Sequence, residues 1–106
     1  MIDLNELARE SQEIAKKRAE HGLKSDTLTC LKHCAGEVVE ANKAYNDWTF
    51  LDTPKDDMKK AYAEELADVI ICILIAAAND NLDIEMAISE KVMKNRLRAE
   101  GVGDKL

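Results

Sequence analysis

Chain breakers are scarce in this sequence: its 106 residues include one proline, Pro54, and four glycines. Few turn signals imply few, long elements. Aromatic residues are equally rare, with one Trp, two Tyr and one Phe, a balance that favours helices over strands. The three cysteines, Cys30, Cys34 and Cys72, are an odd set and supply no disulfide framework. Reduced thiols packed as small apolar groups are expected. No apolar run reaches bilayer length: the longest, from Leu66 to Ala78, is interrupted by Asp68 and reads as a buried core helix. A membrane is therefore not expected as a partner. Met1 to Glu20 lacks the charged, apolar and small-residue regions of a secretory signal, so a cytoplasmic location is expected. Positive charge is in deficit, with 15 Lys and Arg against 21 Asp and Glu for a net charge of −6. Such a surface repels polyanions, which excludes a broad footprint for nucleic acid polymers. A phosphate substrate would need a bridging cation.

Apolar residues make up 46% of the chain and charged residues 34%, enough for one domain spanning residues 1–106. At this size helical hairpins often gain stability by pairing with another copy. Leu4, Leu7, Ala8, Ile14, Ala15 and Ala19 recur at helical spacing, and predict a helix from about Asp3 to His21 with Gly22 as its stop. A second helix starts at Ser25 or Asp26 and fades near Trp48. Pro54 fits a first helical turn, and a third helix runs from there to about Ala78, with Asp56 and Asp57 at its positive end. Asn79, Asp80 and Asn81 end it; Asp83 caps a fourth helix carrying Ile84, Ala87, Ile88, Val92 and Leu97, and Gly101 and Gly103 mark a loose tail. The expected fold is all-α, a bundle of four to five helices completed by homo-oligomerisation.

Two acidic pairs stand out. Glu37 and Glu40 lie three apart on the second helix, and Glu65 and Asp68 three apart on the third, so each pair projects from one face. In an antiparallel hairpin, residues at one height have indices summing to a constant. Glu37 with Asp68 and Glu40 with Glu65 both sum to 105, which centres the turn on Asp52 and Thr53, where the chain breakers independently put it. Apolar neighbours, Val38 and Val39 on one side and Leu66 and Ile70 on the other, predict a position near the core. Carboxylates gathered at low dielectric cost several kcal/mol per uncompensated ion, a cost that a cation removes. Hard oxygen ligands suit Mg²⁺ or Mn²⁺. The competing reading is a solvated face with ordinary ion pairs to Lys32, Lys43, Lys60 or Lys91. A ferritin-like di-iron site wants Glu-x-x-His pairs, which neither His21 nor His33 completes.

Gly36-Glu37-Val38-Val39-Glu40 followed by Glu64-Glu65-Leu66-Ala67-Asp68 resembles the E-x-x-E and E-x-x-D motifs of the MazG-like all-α nucleotide pyrophosphohydrolases. The stretch Glu90-Lys91-Val92-Met93-Lys94-Asn95-Arg96-Leu97-Arg98 is similar to that family's later Lys and Asn pattern. Gly36, where many members carry Glu, is a feature of the dCTP pyrophosphatase-like subgroup. Ala99-Glu100-Gly101 departs from the family's usual aromatic-Pro ending. The resemblance implies a homodimer or homotetramer that hydrolyses a nucleoside triphosphate to its monophosphate and pyrophosphate, as in housecleaning of the nucleotide pool. It also implies that Glu37, Glu40, Glu65 and Asp68 hold Mg²⁺, that Glu37 or Glu40 orients the attacking water, and that Lys91 and Asn95 contact phosphate. Alternatives are a phosphoribosyl-ATP pyrophosphatase-like enzyme, which would want a more cationic pocket, and a non-catalytic helical homo-oligomeric interaction module.

Other residues carry weaker signals. Trp48 suits a stacking platform for a base and equally a packing residue closing the hairpin. Cys30, His33 and Cys34 sit on adjacent turns, but three ligands without a fourth do not specify zinc. Lys91, Lys94, Arg96 and Arg98 either attract phosphate or complement the dipole of the last helix; Arg98 is the substrate contact expected at its end.

Overall fold

The computed structural model describes residues 3–22, 24–50 and 55–101. These residues form four helices and no strand: α1 (Leu4–Ala19), α2 (Thr27–Thr49), α3 (Asp56–Asn79) and α4 (Ile84–Ala99). The all-α expectation holds, with four helices among the described residues. Side-chain oxygens cap three of them. Asp3 accepts from the amides of Asn5 and Glu6, Asp26 from Thr29 at 3.1 Å, and Asp83 from Met86 at 3.0 Å, each satisfying amides that have no partner within the helix. Asp26 is fixed further by the Thr29 hydroxyl, which donates to it at 2.7 Å. The hydroxyl and amide of Thr29 together hold the Asp26 carboxyl below its ordinary pKa.

The stops also have local causes. Gly22 takes φ 92° beyond α1, a conformation costly for residues with a Cβ. After α3, Asn81 takes φ 55°, and the Leu82 amide donates back to the Ala77 carbonyl at 2.9 Å, a left-handed closure that Asn tolerates well. α3 begins at Asp56 after Lys55, which makes no side-chain cap, with Asp56 and Asp57 in the first turn. Pro54 and the predicted turn centre at Asp52 and Thr53 lie outside the described residues, as does Gly103.

α3 is the centre of the molecule. It packs against α2 along most of its length and against α1 on another side, while α4 packs chiefly against α1. Among the described residues the buried ones are mostly small, Ala8, Ser11, Cys30, Ala41, Ala76 and Ala77, with Leu74 the one large side chain, so the helices approach closely over a thin core. Asn79 at the end of α3 pins the assembly. Its amide nitrogen donates to the Ser25 carbonyl at 2.7 Å, and its oxygen accepts from Gln12 at 2.9 Å. Asn5 joins α1 to the start of α4 by donating to Asp83 at 2.9 Å and accepting from the Glu85 amide at 3.3 Å.

Burial departs from the sequence expectation. The run predicted as a buried core helix buries Leu74, Ala76 and Ala77 but leaves Leu66, Ile70, Ile71 and Ile73 exposed within one chain. Val38 and Val39 on α2 and Ile88 and Val92 on α4 are likewise exposed, and α4 buries no residue. Three helices around a small-residue core have too few neighbours to cover an apolar surface this wide. No described helix is long and apolar enough to cross a membrane.

Candidate metal centre

α2 and α3 run antiparallel, and their register brings the acidic pairs together. Glu37, Glu65 and Asp68 each present a carboxylate oxygen within 4.8 Å of the others, and no other such group of potential metal ligands occurs among the described residues. Glu37 and Glu65 are half-buried and Asp68 is exposed. Glu40 is exposed and stands outside this trio. The cluster therefore lines a cleft rather than the core position expected from its apolar neighbours, because those neighbours point to open surface.

The Glu65 carboxyl is held above its ordinary pKa, first by partial burial and then by the negative charges of Glu37, Asp68 and Glu40, with a hydrogen bond to Glu37 adding to the effect. Glu40 thus acts on the cluster electrostatically. Among the described residues no lysine relieves the charge: the one lysine ion pair is Lys16 with Glu13 at 3.8 Å, and His33 lies 3.2 Å from Glu37, a contact that is an ion pair when the imidazole is protonated. The pairs to Lys32, Lys43, Lys60 or Lys91 that the competing reading required do not form among the described residues. His33 lies four residues before Glu37 on one face of α2, a spacing that signals the contact and that the sequence reading did not use. Hard oxygens carrying excess negative charge fit a divalent cation.

Glu37 and Asp68 of the trio line one end of a cleft of about 430 Å³, within the size range of small-ligand sites. Asp68, Ile71, Cys72 and Ile75 of α3 form its floor, and Thr29, Cys30, His33 and Glu37 of α2 form one wall. Ala15 and Arg18 of α1, with Lys24 and Ser25 from the α1–α2 junction, complete it. Sequence reasoning missed Arg18 and Lys24, because nothing local separates them from other surface cations. The thiols are structural. Burial, and behind it nearby negative charge, raises the pKa values of Cys30 and Cys72; Cys30 donates to the Ser25 carbonyl at 3.6 Å and Cys34 to that of Val69 at 3.9 Å. All three are free.

Trp48 belongs to an aromatic cluster toward the other end of the hairpin. It lies nearly parallel to Tyr62 at 6.0 Å and edge-on to Tyr45 at 6.2 Å, so one ring face is already occupied. Lys91 and Asn95 are exposed on α4, and Arg98 is half-buried in its last turn. Because α4 packs chiefly on α1, the chain does not gather these three residues with the carboxylates of α2 and α3. Comparison with protein-family models, curated proteins and solved structures finds no match for this chain.

Proposed function

We propose that this protein is a Mg²⁺-dependent nucleoside triphosphate pyrophosphohydrolase of the MazG-like type, which converts a ribo- or deoxyribonucleoside triphosphate to its monophosphate and pyrophosphate. The observation that carries the reading is the convergence of Glu37, Glu65 and Asp68 from two helices with His33 as their one basic partner among the described residues. A structural acidic face would scatter its charges or pair them with lysines. Mg²⁺ held by Glu37, Glu65 and Asp68 would neutralise phosphate charge and polarise the phosphorus centre; Mn²⁺ would fit the same oxygens. Glu40, adjacent to the trio but outside it, is the carboxylate free to orient a water and take its proton as the water oxygen bonds to the α-phosphorus. The bond from that phosphorus to the α–β bridging oxygen breaks, and the bridging oxygen leaves with its electron pair on pyrophosphate.

Self-association belongs to the same reading. Lys91, Asn95 and Arg98 would reach phosphate from α4 of a second copy, since α4 of the same chain packs chiefly on α1, and the uncovered apolar faces of α2, α3 and α4 supply the contact area. Those faces also suit a non-catalytic interaction module, and magnesium separates the two readings. The deciding experiment is pyrophosphate release from a panel of canonical and damaged nucleoside triphosphates with Mg²⁺, comparing the parent with Glu65→Gln. Release abolished by the substitution, with helicity retained, supports the enzyme. No release from any nucleotide, together with a melting temperature indifferent to Mg²⁺, transfers the case to the interaction module.

A further inference from the structure

The cleft holds two cations to which the nucleotide reading gives no role. Arg18 projects from the last turn of α1 and Lys24 from the α1–α2 junction; both are exposed, and neither forms an ion pair among the described residues. Their heights follow from Asn79, which bonds Gln12 on one side and Ser25 on the other. Six residues beyond Gln12 in a helix antiparallel to α3, Arg18 is level with Ile73, about 7.5 Å along the axis from Asp68 at the helical rise per residue. Lys24, beside Ser25, is about 16 Å from Asp68 on the same scale. Long flexible stems let both head groups reach inward, and Glu37, like other helical side chains, leans toward the N-terminus of α2 and so toward them. Along one cleft the charge thus runs from the carboxylates of Glu37 and Asp68 to Arg18 and then Lys24, with the apolar side chains of Ile71 and Ile75 between.

This polarity selects a direction for a phosphate chain, and the inference rests on the nucleotide reading above. We propose that Arg18 and Lys24 receive the distal phosphates of the substrate, the reacting phosphate lying at the carboxylates. Pyrophosphate then departs toward the α1–α2 junction, and the nucleoside lies on the side of Glu40 and Trp48. As the bridging bond breaks, negative charge grows on the leaving pyrophosphate, and a guanidinium and an ammonium set along its path stabilise that charge.

The test is calorimetric titration of the full chain with inorganic pyrophosphate in Mg²⁺, comparing the parent, Arg18→Gln and Lys24→Gln, with Lys59→Gln as an equal charge change on exposed α3 surface outside the cleft. Expected is saturable binding to the parent, weakened about tenfold or more by each cleft substitution, as loss of a hydrogen bond to a charged group implies. Lys59→Gln should bind like the parent, and Mn²⁺ affinity, followed by electron paramagnetic resonance, should be the same in all four proteins. Absence of binding to the parent, indifference to both cleft substitutions, or an equal loss in Lys59→Gln overturns the assignment. Nucleotide turnover on the same samples judges the enzyme separately. Turnover with unchanged KM in both cleft variants keeps the hydrolase and removes Arg18 and Lys24 from its site. Pyrophosphate binding that the cleft substitutions abolish, in a protein without turnover, keeps the anion subsite and removes the hydrolase.

Discussion

Glu65 lies among Glu37, Asp68 and Glu40, and its carboxyl is shifted upward by partial burial and by their charge. A folded-state pKa above the unfolded value makes a contribution that is fully present below the unfolded pKa and lost as pH rises through the folded one. In metal-free protein the melting temperature should therefore gain from Glu65 as pH falls from 7 toward the ordinary glutamate value of about 4.3. Asp26 is shifted the other way by the Thr29 hydroxyl and amide, and Asp83 by the Asn5 side-chain amide and then the Met86 amide; their stabilisation is lost only below the ordinary aspartate value of about 3.9, outside that window. Under the proposed function a divalent ion would do the proton's work at neutral pH, so stabilisation by Mg²⁺ in calorimetric melts should be large at pH 7 and shrink toward pH 5. A shift independent of pH would detach the ion from this cluster. Glu65→Gln should lower pyrophosphate release by about two orders of magnitude or more, in the range seen when a charge-stabilising group is removed from an active site. It should leave the metal-free melting temperature unchanged or higher, since it removes repulsion while the glutamine amide can still donate to Glu37.

At the scale of elements, the sequence signals for starts and stops were strong because they are local. Asp3, Asp26 and Asp83 cap the helices as their identities and positions implied, and Gly22 and Asn81 turn the chain by backbone conformations that few other residues adopt at low cost. Asp26→Ala should lower the urea midpoint at fixed protein concentration, since it removes the N-cap of α2. Asn79→Ala removes two hydrogen bonds that tie α1 and the α1–α2 junction to α3. It should cost about 1–3 kcal/mol, the penalty for leaving part-buried partners unsatisfied, and speed amide exchange in α1 and the junction more than in the middle of α3. Uniform acceleration would show that Asn79 acts on the fold as a whole.

For the whole molecule, the proposal of self-association rests on its surface. The accessible area is 8129 Å² for an 11.8 kDa chain, against about 5,900 Å² for a compact monomer of that mass. The excess, about 2,200 Å², is of the size that obligate partners bury. The radius of gyration of 16.7 Å against about 13 Å for a compact domain of this length agrees. Sedimentation should give a multiple of 11.8 kDa, with a melting temperature that rises with protein concentration. Val39→Asp and Ile70→Asp, at sites 65% and 54% exposed in one chain, should shift the distribution toward monomer. A monomer with an unchanged melting temperature would mean that those faces serve some other partner.

The sequence by itself determined the four helices, their caps and the meeting of Glu37 with Asp68, because each depends on local backbone preferences or on the fixed rise of two antiparallel helices. It suggested the acidic cluster but misjudged its surroundings. Val38, Val39, Leu66 and Ile70 marked an apolar face, and periodicity cannot say whether such a face meets the same chain or another. The His33–Glu37 contact was legible too, in its i, i+4 spacing on α2. Only the tertiary structure decided that Glu40 stands apart from the trio and that Arg18 and Lys24 share the cleft. The place of those two cations depends on how α1 and its junction lie across α3, set by Asn79 reaching residues 67 and 54 positions away in the chain, a separation beyond any local pattern.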